Sequence, residues 1–419
     1  MLRAGRADKW AEIQGNVNVK SPCLLVPLSG YLHVSLSLFA IFALLALFAP
    51  SSCSFERGIS SASLPTSSQQ PEWSAQSSGL IAKLSGVFFV DRDRGWVVGS
   101  NGALLATEDG GAKWRRQTLP ERQKSETLND VWFFNPDRGL LLGEYGLFNR
   151  KGAIDWSEKA FLLMSKDRGA NWEAGTLERM QVRQSGQPER PSSENANGDM
   201  LKTGRRSPDP ILLRMSFASD QVGWAVGESG AIQRTIDGGA TWKLQETPMR
   251  KLLYDVVAID DGHAWAVGAS GTILRTVDGG RNWDEQSSGV IQALRAVHFV
   301  DPQRGWAVGA KGVIISTTNG GARWQQLTSG SELNLNDVVF LNVKEAPGAG
   351  PIKGPREGRE GWIAGDRGLL LHTTDGGATW ENVELGARAN LSRLFFIAPD
   401  CGWVVGTSGA IFKYGRTSK

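Results

Sequence analysis

The sequence is poor in cysteine and histidine, which limits the metal and redox chemistry that it can support. Three cysteines and four histidines occur in 419 residues. Cys23 and Cys53 lie near the N-terminus and Cys401 lies alone near the C-terminus, so neither a disulfide framework nor a CxxC metal pair is expected. The histidines are scattered along the chain. We therefore expect no metal site and no cofactor.

The chain also lacks an excess of either charge. Its 46 basic and 43 acidic residues give a formal net charge of +3, whereas nucleic-acid binding usually needs basic residues clustered on one face. We therefore expect no nucleic-acid partner.

A long apolar segment, from Leu36 to Ala49, lies near the N-terminus. Basic residues precede it, and the small residues Ser51 and Ser52 follow it, which is the order typical of a secretory signal. Residues 1–53 are therefore predicted to be a signal peptide or a membrane anchor. The folded part should therefore be exported and lie outside the cytoplasm.

The residues after this segment suggest how the folded part is tethered. Cys53 is a candidate lipidation site, although Pro50 stands where such sites usually carry leucine. Residues 54–70 are rich in serine, proline and glutamine and are predicted to form a flexible linker. Membrane association through the N-terminal segment is thus expected.

Glycine and tryptophan, in contrast, are abundant and recur in a repeat. The clearest copy joins Gly223-Trp224-Ala225-Val226-Gly227 to Thr235-Ile236-Asp237-Gly238-Gly239-Ala240-Thr241-Trp242. Three intervals between consecutive first-motif tryptophans are 41 residues, the length expected of a four-stranded propeller blade. The seven first-motif positions are Trp96, Leu140, Trp224, Trp265, Trp306, Trp362 and Trp403.

The ends of the chain are predicted to close a ring. The last repeat stops before its second motif, and the segment Trp73 to Gly79 matches Trp283 to Gly289, the outer strand of the fourth repeat. An N-terminal strand should therefore complete the last blade and remove an open sheet edge. The predicted fold is all-β, a seven-bladed β-propeller of four-stranded antiparallel blades over residues 71–415, with insertions at about 148–159, 181–207 and 343–359 and a tail at 416–419.

A carboxylate or amide recurs at one turn of nearly every repeat, before glycines that can adopt positive φ. Such a side chain can accept hydrogen bonds from the turn's own N–H groups. Because these residues lie in separate turns around a ring, they cannot converge on one substrate, and we interpret them as structural. They are Asp109, Asp167, Asp237, Asp278, Asn319 and Asp375.

These motifs resemble the Asp boxes (BNR repeats) of sialidase-like propellers. Together with the ending Gly409-Ala410-Ile411-Phe412-Lys413-Tyr414, they more closely resemble the photosystem II stability/assembly factor family of cyanobacteria and plastids. The resemblance covers about residues 71–415. It implies a non-enzymatic lumenal propeller that binds a newly made reaction-centre subunit of a membrane complex during photosynthetic assembly. We expect a monomer, located in the thylakoid lumen of a photosynthetic host or otherwise in a periplasm.

The innermost strands should hold the residues that matter for function. Counting ten residues back from each first-motif position, and skipping the insertion in the sixth repeat, gives one channel residue per blade. Two interpretations remain open: a self-satisfied belt, in which Arg214 pairs with Asp255 or Arg393 with Asp337, or a docking mouth. In the docking interpretation, five basic residues bind a partner's carboxylates: Arg214, Arg250, Lys251, Arg295 and Arg393. The acidic channel-mouth residues are Asp130, Asp255 and Asp337.

Two other functions compete with the assembly factor. One is a periplasmic accessory propeller of a transport or envelope complex. The other is an Asp-box carbohydrate-active hydrolase, with catalysis by carboxylates such as Asp130, Asp255 and Asp337. A sialidase is disfavoured because the only tyrosines after the leader are Tyr145, Tyr254 and Tyr414 and the usual Arg-Ile-Pro start is absent. We therefore expect no catalytic residues.

Overall fold

The computed structural model describes residues 71–146, 159–178, 210–341 and 358–416. The predicted signal or anchor, the linker, Cys53, the insertion at 181–207 and nearly all of the insertions at 148–159 and 343–359 lie outside the described residues. Within them, every regular element is a β-strand or a single 3-10 turn. No described helix has the length and apolarity needed to cross a membrane.

The strands form seven sheets. In each sheet three or four antiparallel strands run outwards from the innermost strand in chain order, and two of the sheets gain a further edge strand from elsewhere in the chain. The predicted seven-bladed propeller is confirmed. The first strand is β1 (Glu72–Ser77). Blade 1 then contains β2 (Leu84–Phe89), β3 (Gly95–Gly99), β4 (Ala103–Thr107) and β5 (Arg115–Arg116). Blade 2 contains β6 (Thr127–Phe133), β7 (Gly139–Glu144), β8 (Ala160–Ser165) and β9 (Glu173–Ala174).

Blade 3 departs from the predicted four strands. It contains β11 (Leu212–Phe217), β12 (Gly223–Gly227), β13 (Ile232–Thr235) and β14 (Thr241–Leu244). A fifth strand, β10 (Thr176–Leu177), leaves blade 2 and pairs in parallel with β14. The four predicted strands are present in this blade, and the chain leaving blade 2 adds a short fifth strand that covers an outer edge that would otherwise be open.

The next three blades have the predicted four strands. Blade 4 contains β15 (Leu253–Ala258), β16 (Ala264–Gly268), β17 (Ile273–Thr276) and β18 (Asp284–Gln286). Blade 5 contains β19 (Leu294–Phe299), β20 (Gly305–Gly309), β21 (Ile314–Thr317) and β22 (Gln325–Leu327). Blade 6 contains β23 (Leu335–Phe340), β24 (Gly361–Gly365), β25 (Leu370–Thr373) and β26 (Glu381–Asn382).

Blade 7 joins the two ends of the described chain. It contains β27 (Leu391–Ala398), β28 (Cys401–Gly406) and β29 (Ala410–Gly415), and β1 pairs with β29 from Glu72 opposite Gly415 to Ser77 opposite Ala410. Trp73 packs against Trp362, with ring centroids 5.4 Å apart, and against Tyr414 at 5.2 Å. The prediction that an N-terminal strand completes the last blade is confirmed.

Aromatic stacking between neighbouring blades forms much of the core. The first-motif tryptophan of one blade lies flat on a phenylalanine of the next inner strand, as Trp96 does on Phe133 at 3.5 Å between ring centroids. The same phenylalanine meets the second-motif Trp172 edge to face at 6.1 Å. Each such pair contributes about 0.5–1.5 kcal/mol beyond its buried area. Equivalent stacks join Trp265 to Phe299, Trp306 to Phe340 and Trp403 to Phe89.

The repeated carboxylates form the turns that their sequence context predicts. Asp109 Oδ1 accepts hydrogen bonds from the Lys113 N–H and the Thr107 hydroxyl, both at 2.8 Å. The Asp278 turn is built in the same way, and bonds from Asn282 lower the pKa of its carboxyl to about 2. Each carboxylate is thus bonded within its own turn.

Candidate functional site: the channel mouth

A β-bulge occurs at one position of every inner strand. In blade 1 the pairing register shifts between Leu84 and Gly86, which leaves Ser85 as the extra residue. Bulges re-aim side chains locally, and here all seven extra residues line one cavity of about 520 Å³. This cavity is the mouth of the central channel. The seven bulge residues are Ser85, Asn129, Leu213, Tyr254, Arg295, Asn336 and Ser392.

The residues that follow the bulges form a second ring, here called the belt: Gly86, Asp130, Arg214, Asp255, Ala296, Asp337 and Arg393. In every blade the belt residue pairs with the fourth residue of the second strand, or its equivalent, as Asp130 does with Leu142 and Arg214 with Val226. The seven residues obtained by counting back from the repeat motifs therefore occupy equivalent positions in their blades, at one level of the channel.

The three belt aspartates join neighbouring blades. Oδ2 of Asp130 in blade 2 accepts a hydrogen bond of 3.0 Å from the Met215 N–H in blade 3. Asp255 does the same for Val297 at 3.0 Å, and Asp337 for Leu394 at 2.7 Å. Since all three aspartate residues are at least 96% buried, each bond stabilises one blade interface.

The belt arginines pair with these aspartates. Arg393 Nη1 lies 3.2 Å from Asp337 Oδ1 and 3.6 Å from Asp255 Oδ1, as the self-satisfied belt predicts. The alternative pairing of Arg214 with Asp255 is wrong: the ion pair of Arg214 is with Asp130, at 3.5 Å.

Arg214 also bonds to backbone carbonyls of two other blades. Its Nη1 donates to Ser85 O at 2.8 Å and to Asn129 O at 3.3 Å. The guanidinium of Arg214 thus lies between blades 1 and 2, next to Asp130 of blade 2, which explains why Asp130 is its partner. The contacts of Arg214 and Arg393 make both arginines part of the belt, although Arg214 also lines the mouth. A role for either in partner binding stays a prediction.

Burial shifts the pKa values of the belt residues. Burial, with the nearby Asp337, raises the pKa of Asp255 to about 6, against the opposing attraction of Arg393 and Arg214. Burial lowers the pKa of Arg214, and Arg393 repels its charge. For Arg393, burial alone would lower the pKa, but Asp337 and Asp255 raise it above its usual value. The belt is thus a coupled set of charges.

The other predicted docking residues lie at or beside the mouth. Arg295 is half-buried, lines the cavity and donates from Nη1 to Asn336 Oδ1 at 2.7 Å. Arg250 and Lys251 are exposed on the loop between β14 and β15. Only these two of the five predicted basic residues are fully exposed.

Sequence reasoning missed the amides of the mouth. Asn129 Nδ2 donates to Leu212 O at 3.0 Å, and Asn336 Nδ2 donates to Leu391 O at 2.8 Å, in each case across a blade interface. The signal was present in the repeated tetrapeptides Leu128-Asn129-Asp130-Val131 and Leu335-Asn336-Asp337-Val338. In each tetrapeptide the asparagine donates a hydrogen bond to the next blade, and the adjacent aspartate accepts one from the same blade.

The family description "Photosynthesis system II assembly factor YCF48" matches residues 65–190, 200–284, 241–328 and 289–390. These matches cover more than half of the chain. The chain belongs to this family. The family prediction made from the repeat motifs is therefore confirmed.

Curated relatives of the family differ in how much of the chain they match. A "Photosystem II assembly lipoprotein Ycf48" of Trichormus variabilis is 47% identical over 62 residues, 14% of this chain and 18% of that protein. The chain thus matches less than a fifth of the length of the first such relatives. A "Photosystem II assembly protein Ycf48" of Thermosynechococcus vestitus is 26% identical over 82% of this chain and 84% of its own length.

Solved structures share the fold. A structure described as "YCF48 bound to D1 peptide" has a TM-score of 0.59 and 22% identity, and covers 82% of this chain and 97% of its own. A xyloglucanase of family GH74 from Xanthomonas campestris has a TM-score of 0.56 and 14% identity, over 81% of this chain and 53% of its own. Because binding proteins and an enzyme share this architecture, the fold by itself does not assign an activity.

Proposed function

We propose that the chain is a non-enzymatic assembly factor that binds an extended segment of a photosystem II-type reaction-centre protein at the channel mouth. The main observation in support of this proposal is that one bulge residue from every blade lines the mouth cavity. Because the cavity is shared by all blades, it presents one continuous surface rather than seven separate ones.

The charge of the mouth supports an acidic ligand. The basic residues Lys83, Arg214 and Arg295 line it, against a single lining carboxylate, Asp366. The exposed Arg250 and Lys251 lie on a neighbouring loop. Guanidinium groups bind carboxylates through paired hydrogen bonds, and complementary charge steers association. The D1 peptide bound by a structural relative is the reason to choose a reaction-centre segment.

A hydrolase is the alternative that shares this architecture. The buried carboxylates Asp130, Asp255 and Asp337 each use an oxygen to accept an N–H from the next blade. A catalytic acid or base must instead reach the substrate's proton. This structural use of the belt aspartates favours binding without covalent chemistry.

The N-terminal sequence and the relatives named lipoproteins support an exported, membrane-associated location. We place the propeller on the exported side of a membrane, in a thylakoid lumen or a periplasm, with Cys53 as the candidate lipidation site. If the host has no photosystem genes, the accessory propeller of an envelope complex becomes the better assignment.

The test is binding of a synthetic reaction-centre D1 segment to the full chain, measured by calorimetry. We expect the double variant Arg250→Glu/Lys251→Glu, and separately Arg295→Glu, to weaken binding by about tenfold or more, because each reverses charge at the mouth. The matched control, Arg281→Glu, reverses an exposed charge in the Asp-box turn of blade 4 and should leave affinity unchanged.

Equal affinity of wild type and both mouth variants would place the docking surface elsewhere. Hydrolysis of a glycan panel by the purified chain, abolished by Asp130→Asn or Asp337→Asn, would favour the enzyme instead.

A further inference from the structure

Three blades cover their first-motif tryptophan with a basic side chain from the neighbouring strand. Arg234 pairs with Trp224 in the strand register, Arg275 with Trp265 and Lys413 with Trp403. The charged group lies over the indole ring, at 5.6 Å, 5.2 Å and 5.4 Å from the ring centre respectively. These distances are within the range of cation–π attraction.

Each of these basic side chains also reaches the Asp-box turn of the next blade. The terminal nitrogens of Arg234 and Arg275 lie close to Gly279 and Gly320, and that of Lys413 lies close to Gly110. The cation thus fills the space between the tryptophan of one blade and the turn of the next. All three tryptophans are 0% exposed.

Blade 1 has no basic residue at this register. Ala106 pairs with Trp96, and the methyl group cannot reach the Asp-box turn of blade 2. A cleft of about 260 Å³ is found between blades 1 and 2, lined by Trp96, Ala106, Glu108, Asp109 and Asp167 among others.

The blade 2 turn departs from the repeat at the same place. Where other boxes have their first glycine, blade 2 has Arg168, with a φ of 66°. Its guanidinium turns away to Asp137, at 3.0 Å from Nε to Oδ1, and its side chain is 61% exposed. Arg168 therefore does not replace the missing cation over Trp96.

The charges around the cleft favour a cation. Arg94 is paired with Asp91, and Arg168 with Asp137. The lining carboxylates Glu108, Asp109 and Asp167 then outnumber the remaining lining cations, Lys113 and Arg115.

The carboxylate of Asp109 differs from that of most other boxes. In four boxes the second carboxylate oxygen accepts a hydrogen bond from the side chain four residues on, as Asp278 Oδ2 does from Asn282 at 2.7 Å. In blade 1 that residue is Lys113, whose backbone N–H bonds to Oδ1. The second carboxylate oxygen of Asp109 thus lacks the hydrogen bond from a neutral side chain that the other four carboxylates accept.

We propose that the cleft between blades 1 and 2 binds a basic side chain of a partner protein, with arginine preferred, over Trp96. The occupant would sit where the chain's own Arg234 and Arg275 sit in blades 3 and 4. The Asp-box turns follow the third strand of each blade, so the cleft opens at the end of the blades opposite the mouth. It is a second contact site, and it does not depend on the ligand of the mouth.

The experiment uses the full chain labelled with 5-fluorotryptophan, with the Trp96 resonance assigned through Trp96→Phe. The probe is the blocked tripeptide Ac-Gly-Arg-Gly-NH2, compared with the matching lysine, alanine and glutamate peptides. We expect the arginine peptide to shift the Trp96 fluorine resonance saturably, the lysine peptide to do so more weakly, and the other two to leave it unchanged.

Two variants test the position of the site. Ala106→Arg supplies the missing guanidinium from the chain itself and should weaken binding of the arginine peptide by about tenfold or more. Glu108→Lys changes an exposed residue, so folding is not at risk, and should weaken it several-fold. The matched control is Ser316→Arg, which adds a cation opposite Trp306 at the same register of blade 5 and should have no effect.

Several results would overturn the proposal. One is a Trp96 resonance that does not respond to the arginine peptide, and another is a response to the glutamate peptide in its place. An equal loss of affinity in Ser316→Arg and Ala106→Arg would also do so, because it would show that added charge alone weakens binding. None of these results bears on D1 binding at the mouth, so the two proposals fail separately.

Discussion

Asp255 carries an ionisable group at a place where its charge is costly. The residue is 3% exposed, and burial with the nearby Asp337 raises the pKa of its carboxyl to about 6, although Arg393 and Arg214 oppose the shift. Because the folded pKa lies above the ordinary value of 3.8, the folded state holds this proton more tightly than the unfolded chain does. The stability from this proton is complete below about pH 4 and is lost as the pH rises through about 6.

We predict that Asp255→Asn removes this pH dependence. An amide oxygen can still accept the Val297 N–H bond, and it carries no charge. Relative to wild type, the free energy of unfolding of the variant should improve by about 1–3 kcal/mol between pH 4.5 and pH 7.5. Urea unfolding of both proteins at the two pH values measures this.

The comparison of the two proteins also removes the effect of His298. Burial lowers the pKa of His298 to about 4, but this histidine is present in both chains. A difference between wild type and Asp255→Asn that is the same at both pH values would contradict the raised pKa.

At the scale of the blades, stability depends on what each inner strand gives to the next. The belt aspartates accept backbone N–H groups of the following blade, and the mouth asparagines donate to its carbonyls. A blade that lost such a side chain would leave a buried backbone donor or acceptor of its neighbour without a partner, which costs more than the bond itself contributes.

We predict that Asp130→Ala destabilises the protein by about 3–5 kcal/mol, because it leaves the Met215 N–H without an acceptor and the buried Arg214 guanidinium without its carboxylate partner. Asp130→Asn, which keeps an acceptor, should cost less. Thermal and denaturant unfolding measure both variants.

The control for these variants is Asp93→Ala, at an exposed aspartate on the loop between β2 and β3. It should change stability by no more than about 0.5 kcal/mol. If Asp130→Ala were as mild as Asp93→Ala, the belt aspartates would not stabilise the blade interfaces.

The sequence predicted which residue of each blade lies at the channel better than it predicted which side chains contact one another there. The spacing from Trp224 located Arg214, and the spacing from Leu140 located Asp130, because each blade repeats one strand register. Which aspartate Arg214 contacts depends on rotamers and on carbonyls of blade 1, and these have no repeating signal. Strand β10 was missed for a similar reason, since it lies outside the repeat and no other blade has a counterpart.

For the whole molecule, closure of the ring depends on a strand of six residues. Strand β1 supplies the outer strand of blade 7, and Trp73 packs against Trp362, Phe396 and Tyr414. Without it, β29 would present an open edge to solvent, which favours pairing with other chains.

We predict that a chain beginning at residue 79 is less stable by about 4 kcal/mol or more, since it loses both the strand pairing and the buried indole. It should also self-associate through the exposed edge of β29. Calorimetry and light scattering measure the two effects.

A chain beginning at residue 67 retains β1 and is the matched control, and it should behave as wild type. Trp73→Ala separates the indole from the strand and should cause a smaller loss than the truncation. Equal melting temperatures of the two truncated chains would show that blade 7 does not need its fourth strand.

The direction of β1 determines where the polypeptide enters the propeller. Glu72 lies opposite Gly415, and Ser77 lies opposite Ala410, so the strand runs from the Asp-box end of the outermost layer towards the mouth loops. Six residues of extended chain span about 20 Å. The described chain therefore enters blade 7 at the Asp-box end of its outermost strand, about that far along the blade from the loops of the mouth.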